Sequence, residues 1–296
     1  MQRTRVAFQG ARGAFSEQAC KQILAGRRFE LAPYEKFFDV FCALRDGRVH
    51  RAVIPVENTL HGSVHENYDH LLDFNLAILA ETHVRIVHNL IARPGATLDR
   101  ITRAISHPVA LAQCVEFFRR HPGILVESHY DTGGSVKTVM EGSDDTLGAV
   151  ASSAAADYYG ASIIEASIED DPENYTRFFL LGPQGDSEGA PSGPRKTSMV
   201  FVTKNIPGAL FKCLSAFALR DIGLTKIESR PLKGRPFEYL FYVDVLASPE
   251  ETNCANAMRH LEEMTEFLTV MGTYAPAAIG SSDPTPADTK AAGEAG

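Results

Sequence analysis

Residues 5–24 read RVAFQGARGAFSEQACKQIL. The apolar run Val6-Ala7-Phe8 predicts a strand over residues 5–8, Gly10 a turn, and the apolar spacing of residues 15–24 a helix. The same order recurs downstream. Helices are expected at 37–44 and 109–118, strands at 51–55 and 124–127, and turns at Gly47 and Gly123. Such alternation predicts an α/β domain with a mostly parallel sheet. Residues 76–92 are apolar but crossed by Glu81, His83, Arg85 and His88 at near-alternate spacing, which favours extended structure linking two lobes.

A second unit follows a break in composition. Residues 1–182 form the first region, and 183–196, rich in Gly, Pro and Ser, contain almost nothing that packs and read as a linker. Residues 197–275 then give strand, helix, two strands, helix and strand (197–202, 207–219, 224–228, 239–246, 255–265 and 267–270), a ferredoxin-like β-α-β-β-α-β order. The tail, 276–296, has the composition of a disordered segment.

Composition excludes some functions. A formal charge of −8 and a sequence pI near 5.7 argue against nucleic acid or an anionic membrane as partner, although a local cationic pocket remains compatible with them. The N-terminus lacks the apolar core of a secretory signal, and no apolar run reaches the ~20 residues of a membrane span. Five well-separated cysteines with no Cys-x-x-Cys pair suit free thiols in a reducing cytoplasm.

Several segments suit an anionic ligand. Gly10 and Gly13 sit where a helix start can present backbone N–H groups, although an ordinary strand–helix turn reads the same way. In IPVENTLHGSVHENYDHLL, Glu57, Asn58 and Thr59 follow an apolar strand, where ligand contacts collect in open α/β sheets. His61, His65 and Asp69 recur every four residues, but without a His-Glu-x-x-His arrangement and with Gly62 between them they read as a solvated helix start rather than a metal site. Ser106 in ISHPVALAQC is a helix cap by type, with Gln113 one to two turns on. In YDTGGSVKTV, residues Thr132 to Ser135 precede a short helix carrying Lys137. No Gly-x-Ser-x-Gly elbow or P-loop is present. In ENYTRFFLLG, Arg177 interrupts a strand-like run, so either it faces solvent or something anionic meets it.

Taken in order, FQGARGAFSEQA, IPVENTLHGS, ISHPVALAQC, DTGGSVKTV, GAVASSAAADYYG, NYTRF and then PGALFK and IESRP resemble the prephenate dehydratase family, which includes the arogenate dehydratases. The segments FALRDIGLTKIESRP and YLFYVDV resemble its plant-type branch most. The resemblance implies a two-lobed periplasmic-binding-protein-like catalytic region with its active site between the lobes, and a C-terminal ACT regulatory domain. It implies decarboxylating loss of the ring hydroxyl of prephenate to give phenylpyruvate, or the same reaction on arogenate, with no cofactor and no metal. Carried onto this chain, Thr176 is the proton donor. Asn58, Ser106, Gln113 and Thr132 hold carboxylates or the hydroxyl, and Glu57 orients Asn58. Thr59, Ser135, Arg177, Phe178 and Lys137 line the substrate. Gly208, Ala209 and Leu210, with Glu228, Ser229, Arg230 and Pro231, bind L-phenylalanine in a homodimer or homotetramer. Val109 stands where the family usually has Gln, and Tyr175 where a smaller apolar residue is usual. No chorismate mutase-like segment precedes residue 5, so a monofunctional enzyme is expected. A non-catalytic amino-acid or small-anion sensor is the competing reading.

Overall fold

The computed structural model describes residues 3–186 and 193–279. Its chain begins with β1 (Thr4–Gln9), α1 (Phe15–Ile23), β2 (Phe29–Tyr34), α2 (Phe37–Arg45), β3 (Arg51–Asn58), the two-residue β4 (Gly62–Ser63), α3 (His65–Phe74) and β5 (Ala77–Arg85). A second lobe follows: β6 (Asn89–Ala92), β7 (Arg103–Ser106), α4 (Pro108–Ala112), α5 (Val115–Arg120), β8 (Leu125–Ser128), α6 (Thr132–Glu141), β9 (Leu147–Ala151), α7 (Ser153–Tyr159) and β10 (Ser162–Glu165). The chain then returns to the first sheet as β11 (Tyr175–Gly182). The C-terminal unit is β12 (Lys196–Thr203), α8 (Ala209–Ala218), β13 (Leu224–Pro231), β14 (Tyr239–Val245), α9 (Thr252–Met264) and β15 (Thr265–Tyr274).

Three sheets result. The first has the order β2-β1-β3-β11-β5, the second β10-β6-β9-β7-β8, and the third β13-β14-β12-β15, a ferredoxin-like arrangement. The lobe sheets are mixed rather than mostly parallel. β1 pairs parallel with β2 and β3, but β11 runs antiparallel to both β3 and β5 because it arrives from the other lobe.

Burial on both faces explains the uninterrupted apolar strands of the first lobe. Val6, Phe8 and Val53 pack beneath α1 with Phe178 and Leu180. Ala7, Ala52, Ile54 and Val56 face the other way, joining Phe179 and Leu181 to Val200, Tyr242 and Met271 of the C-terminal sheet. The two sheets approach so closely that a Cβ at Gly272 would lie 2.0 Å from the Ile78 carbonyl oxygen. Gly13 serves the contact between lobes: its φ is +81°, and a Cβ there would lie 2.4 Å from Cα of Ala155.

Some local expectations are corrected. The helix expected over 109–118 is two, α4 and α5, because the chain turns at Gln113 and Cys114. The cap of α4 is His107, whose Nδ1 accepts from Val109 N–H, while the Ser106 hydroxyl donates to the Val150 carbonyl. Thr132 to Ser135 lie within α6, not ahead of it, because Asp131 is its cap and accepts from Gly133 and Gly134 N–H. Much of the expected linker (187–192) and of the tail (280–296) lies outside the described residues. Ala277, just inside the tail, donates its N–H to Glu81 at 3.0 Å.

Candidate active site

β3 and β11 place the site. Their antiparallel register sets Thr176 opposite Asn58. Residues alternate faces along β11, so Thr176 and Phe178 point to the gap between the lobes while Arg177 points to the C-terminal sheet. That gap is a cleft of about 400 Å³. Its floor and walls carry Asn58, Thr176 and Phe178 from the first lobe and Gln113 and Thr132 from the second.

The Asn58 amide is the hub. Its Nδ2 shares two hydrogens among Thr176 Oγ1 at 3.0 Å, Asn174 Oδ1 at 2.7 Å and the Tyr175 carbonyl at 3.1 Å. Its Oδ1 accepts from Leu60 and His61 N–H, which closes the turn after β3. Because Thr176 Oγ1 accepts from Asn58, its own hydrogen is left to donate elsewhere.

Helix starts converge on the same space. The first residues of α1, Phe15 and Ser16, line the cleft, and their N–H groups belong to the turn that has no partner within the helix. Glu17 of that turn accepts from Gly13 N–H and meets Arg12 and Lys21. Asp131 ties the lobes together by accepting from Ala11 N–H at 3.0 Å while capping α6. Among the described lining residues there is neither lysine nor arginine.

Gln113 reaches across the cleft mouth. Its Oε1 lies 2.8 Å from His88 Nε2 and its Nε2 lies 3.2 Å from His61 Nδ1. Burial pushes the His88 imidazole below its ordinary proton affinity, with the Gln113 bond opposing in part. Burial does the same to His107, with Asp131 opposing.

Several expected site residues lie elsewhere. Ser106 and Ser135 are fully buried, the latter donating to the Asp131 carbonyl within the cap of α6. Thr59 accepts from Tyr175 N–H and donates to the Glu173 carbonyl, holding the approach to β11 outside the cleft. Lys137 is half exposed and lies 3.8 Å from Glu141 on its own helix. Glu57 does not orient Asn58; it faces the C-terminal unit, 3.1 Å from Lys226.

Arg177 is met by anions, but they are the protein's own. Its guanidinium contacts Glu81 and Asp244 and donates to the Tyr274 hydroxyl at 3.1 Å. Burial disfavours its charge, yet Asp244, Tyr274 and Glu81 outweigh that and hold it above the ordinary arginine range. Lys196 completes the cluster at 2.7 Å from Glu81. The resemblance placed Arg177 at the substrate; here its side chain leaves the face of β11 opposite to that of Thr176 and is engaged by Glu81, Asp244 and Tyr274 rather than lining the cleft.

The segments expected to bind an effector lie in the C-terminal unit. Gly208 adopts φ +71° at the start of α8, and Ala209 and Leu210 form the first turn. Glu228, Ser229, Arg230 and Pro231 lie on the edge strand β13. Two of their charges are already engaged with the first lobe. Glu228 accepts from the Ser63 hydroxyl at 2.9 Å, and Arg230 lies 3.2 Å from Asp69. His65 lies 3.6 Å from Glu228, so the His61, His65 and Asp69 series points to three different partners.

Sequence reasoning gave no role to Asn174, Asp131 or His88, and it read His61 as part of a solvated helix start, whereas His61 lies in the turn before β4 and α3 begins only at His65. Asn174 and Asp131 lie inside motifs quoted for their neighbours, but their partners, Asn58 and Ala11, are more than a hundred residues away. His88 had only its alternation in a strand-like run to mark it.

Comparison with known proteins agrees with this geometry. Residues 6–186 match the family model described as prephenate dehydratase. The chain is 44% identical over 281 residues to arogenate dehydratase/prephenate dehydratase 2, chloroplastic, of Arabidopsis thaliana, covering 92% of this chain and 73% of that one. It is 43% identical over 286 residues to arogenate dehydratase 2 of Petunia hybrida, covering 92% and 72%. Among solved structures, the prephenate dehydratase of Arthrobacter aurescens in complex with L-Phe superposes with a TM-score of 0.84 at 28% identity, covering 92% of this chain and 90% of that one. GqqA, described as a novel type of quorum-quenching acylase, superposes equally well at 33% identity, covering 93% and 98%. A matching family model over most of the chain, plant relatives above 40% identity and a cleft built from the family's motifs together place the chain in the prephenate dehydratase family, in its plant-type branch.

Proposed function

We propose that this chain is a prephenate dehydratase that converts prephenate to phenylpyruvate and is inhibited by L-phenylalanine through its C-terminal, ACT-type unit. The hydrogen bond from Asn58 Nδ2 to Thr176 Oγ1 carries the reading, since it occupies the oxygen as acceptor and leaves the hydrogen of this cleft-lining threonine free to donate. In the reaction the bond to the ring carboxylate breaks, releasing CO₂, and its electron pair completes the aromatic ring. The ring C–O bond breaks as Thr176 Oγ1 gives its proton to the departing oxygen, which leaves as water. Asn58 stabilises the charge developing on Oγ1, and solvent restores the proton. A threonine hydroxyl is a weak acid, so transfer is concerted with C–O cleavage in the largely apolar cleft.

The keto-acid substrate is favoured over arogenate by the acids available. Asp131 is the carboxylate among the described lining residues, and both its oxygens already accept from backbone N–H groups. An arogenate ammonium would therefore have to share Asp131 with three backbone N–H groups. The substrate carboxylates are met by the start of α1 and by the amides and hydroxyls of Gln113 and Thr132. Of the two departures from the family pattern, Val109 lines the cleft and bears on substrate shape.

Feedback by phenylalanine is supported by the Arthrobacter relative, which was solved with L-Phe. Assembly as a homo-oligomer is supported by two exposed apolar side chains, Phe211 of α8 and Leu219 just past its C-terminal end, 76% and 77% exposed. Free thiols at all five cysteines suit a reducing compartment such as the cytoplasm, and the Arabidopsis relatives are named chloroplastic. The test compares kcat/KM on prephenate and arogenate, with and without phenylalanine. Preference for prephenate with loss of rate on adding phenylalanine supports the reading; preference for arogenate, or ligand binding without turnover, overturns it.

A further inference from the structure

His88, Gln113 and His61 are hydrogen-bonded in series across the cleft mouth. His88 sits between β5 and β6, Gln113 ends α4 of the second lobe, and His61 lies in the turn between β3 and β4 of the first. His88 is 2% exposed and its Nδ1 has no partner among the described residues. Gln113 Oε1 can only accept, so His88 carries its proton on Nε2 and leaves a lone pair on Nδ1. Reversing the amide would put an N–H on that buried Nδ1 with no acceptor, the rarer and costlier kind of orphan. The series therefore has one direction.

That direction fixes His61. Gln113 Nε2 donates to its Nδ1, so the hydrogen of His61 sits on Nε2, and that N–H has no acceptor among the described residues. The ring stands at the rim of a cleft whose described lining holds no lysine or arginine, yet whose ligand is a dianion. We propose that His61 binds a substrate carboxylate through its Nε2–H, and that His88 is the positioning residue that holds it there by fixing Gln113. The inference rests on the dehydratase reading of the cleft.

Steady-state kinetics on prephenate test it. His61→Ala is expected to raise KM about tenfold while changing kcat less than about threefold, the pattern of a lost ground-state contact to a charged group. His61→Gln, which keeps an N–H donor, recovers part of the loss. His88→Phe removes the donor to Gln113 and raises KM in the same direction, whereas His88→Gln keeps a donor and stays nearer wild type. An unchanged KM in His61→Ala, a loss confined to kcat, or no recovery in His61→Gln overturns the proposal while leaving the dehydratase reading intact. A wild-type protein that turns over neither prephenate nor arogenate overturns both.

Discussion

Arg177 Nη1 lies 2.6 Å from Asp244 Oδ2. The residue after the cleft threonine is thereby joined to β14, and the same strand that presents Thr176 on one face is anchored to the C-terminal unit on the other. Asp244 also accepts from the Ser198 hydroxyl, and the guanidinium stands 4.7 Å from the Phe179 ring. Removing one partner of a buried pair typically costs about 3–5 kcal/mol because the other charge is stranded. Asp244→Asn and Arg177→Leu should each lower the denaturant midpoint by a corresponding amount. Arg177→Lys should not restore it, since an ammonium cannot span Glu81, Asp244 and Tyr274 together.

Glu81 predicts an acid limit. Burial raises its proton affinity, but Arg177 and Lys196 outweigh that, and its carboxyl is held below the usual 4.5. Between the folded and unfolded values the unfolded chain binds more protons, so stability rises with pH there. Its contribution is present above about pH 4.5 and is lost as pH falls through the lower folded value. Unfolding free energy measured from pH 6 down to pH 3 should fall more steeply in wild type than in Glu81→Gln.

Lys226 joins the two units close to the cleft. Its Nζ lies 3.1 Å from Glu57 and 2.9 Å from the hydroxyl of Ser63, a cleft-lining residue that also bonds Glu228. If phenylalanine acts by shifting β13, this is a direct route to the cleft wall. Lys226→Met should then shift the phenylalanine concentration for half-inhibition by about fivefold or more, the lower range of allosteric coupling. An unchanged inhibition curve from an active variant would separate the route from the effect.

The alternation around RVAFQGARGAF and the β-α-β-β-α-β order were legible because both are local patterns of apolar spacing and turn residues. The cap of α6 was not, because Asp131 preceded a Gly-Gly pair that read as loop. Arg177 shows the wider limit. Its oddity in a strand was visible, but Glu81 and Asp244 lie 96 and 67 residues away, and nothing local says which anion comes to meet it. The same holds for Glu57, whose place beside Asn58 suggested a shared role although a strand sends neighbours to opposite faces. Asn58, Gln113, Thr132, Thr176 and Phe178 do come together in one cleft, from motifs up to 120 residues apart.

The contact at Gly272 is the tightest constraint on docking of the C-terminal sheet. Any Cβ there meets the backbone of Ile78, which cannot swing aside. Gly272→Ala should cost about 1–3 kcal/mol or more, as overpacking does. Thermal unfolding of the variant beside wild type checks this, and an unchanged midpoint would show that the sheets separate without cost.

Thr176 carries the chemistry of this account, and its removal is the most direct test. Phenylpyruvate formation from prephenate should fall in Thr176→Ala by about 10²–10⁴ in kcat, the range for a positioned proton donor, with Thr176→Ser retaining most of the rate. Turnover by Thr176→Ala within a few-fold of wild type would contradict the assignment of the proton donor, whatever else the cleft binds.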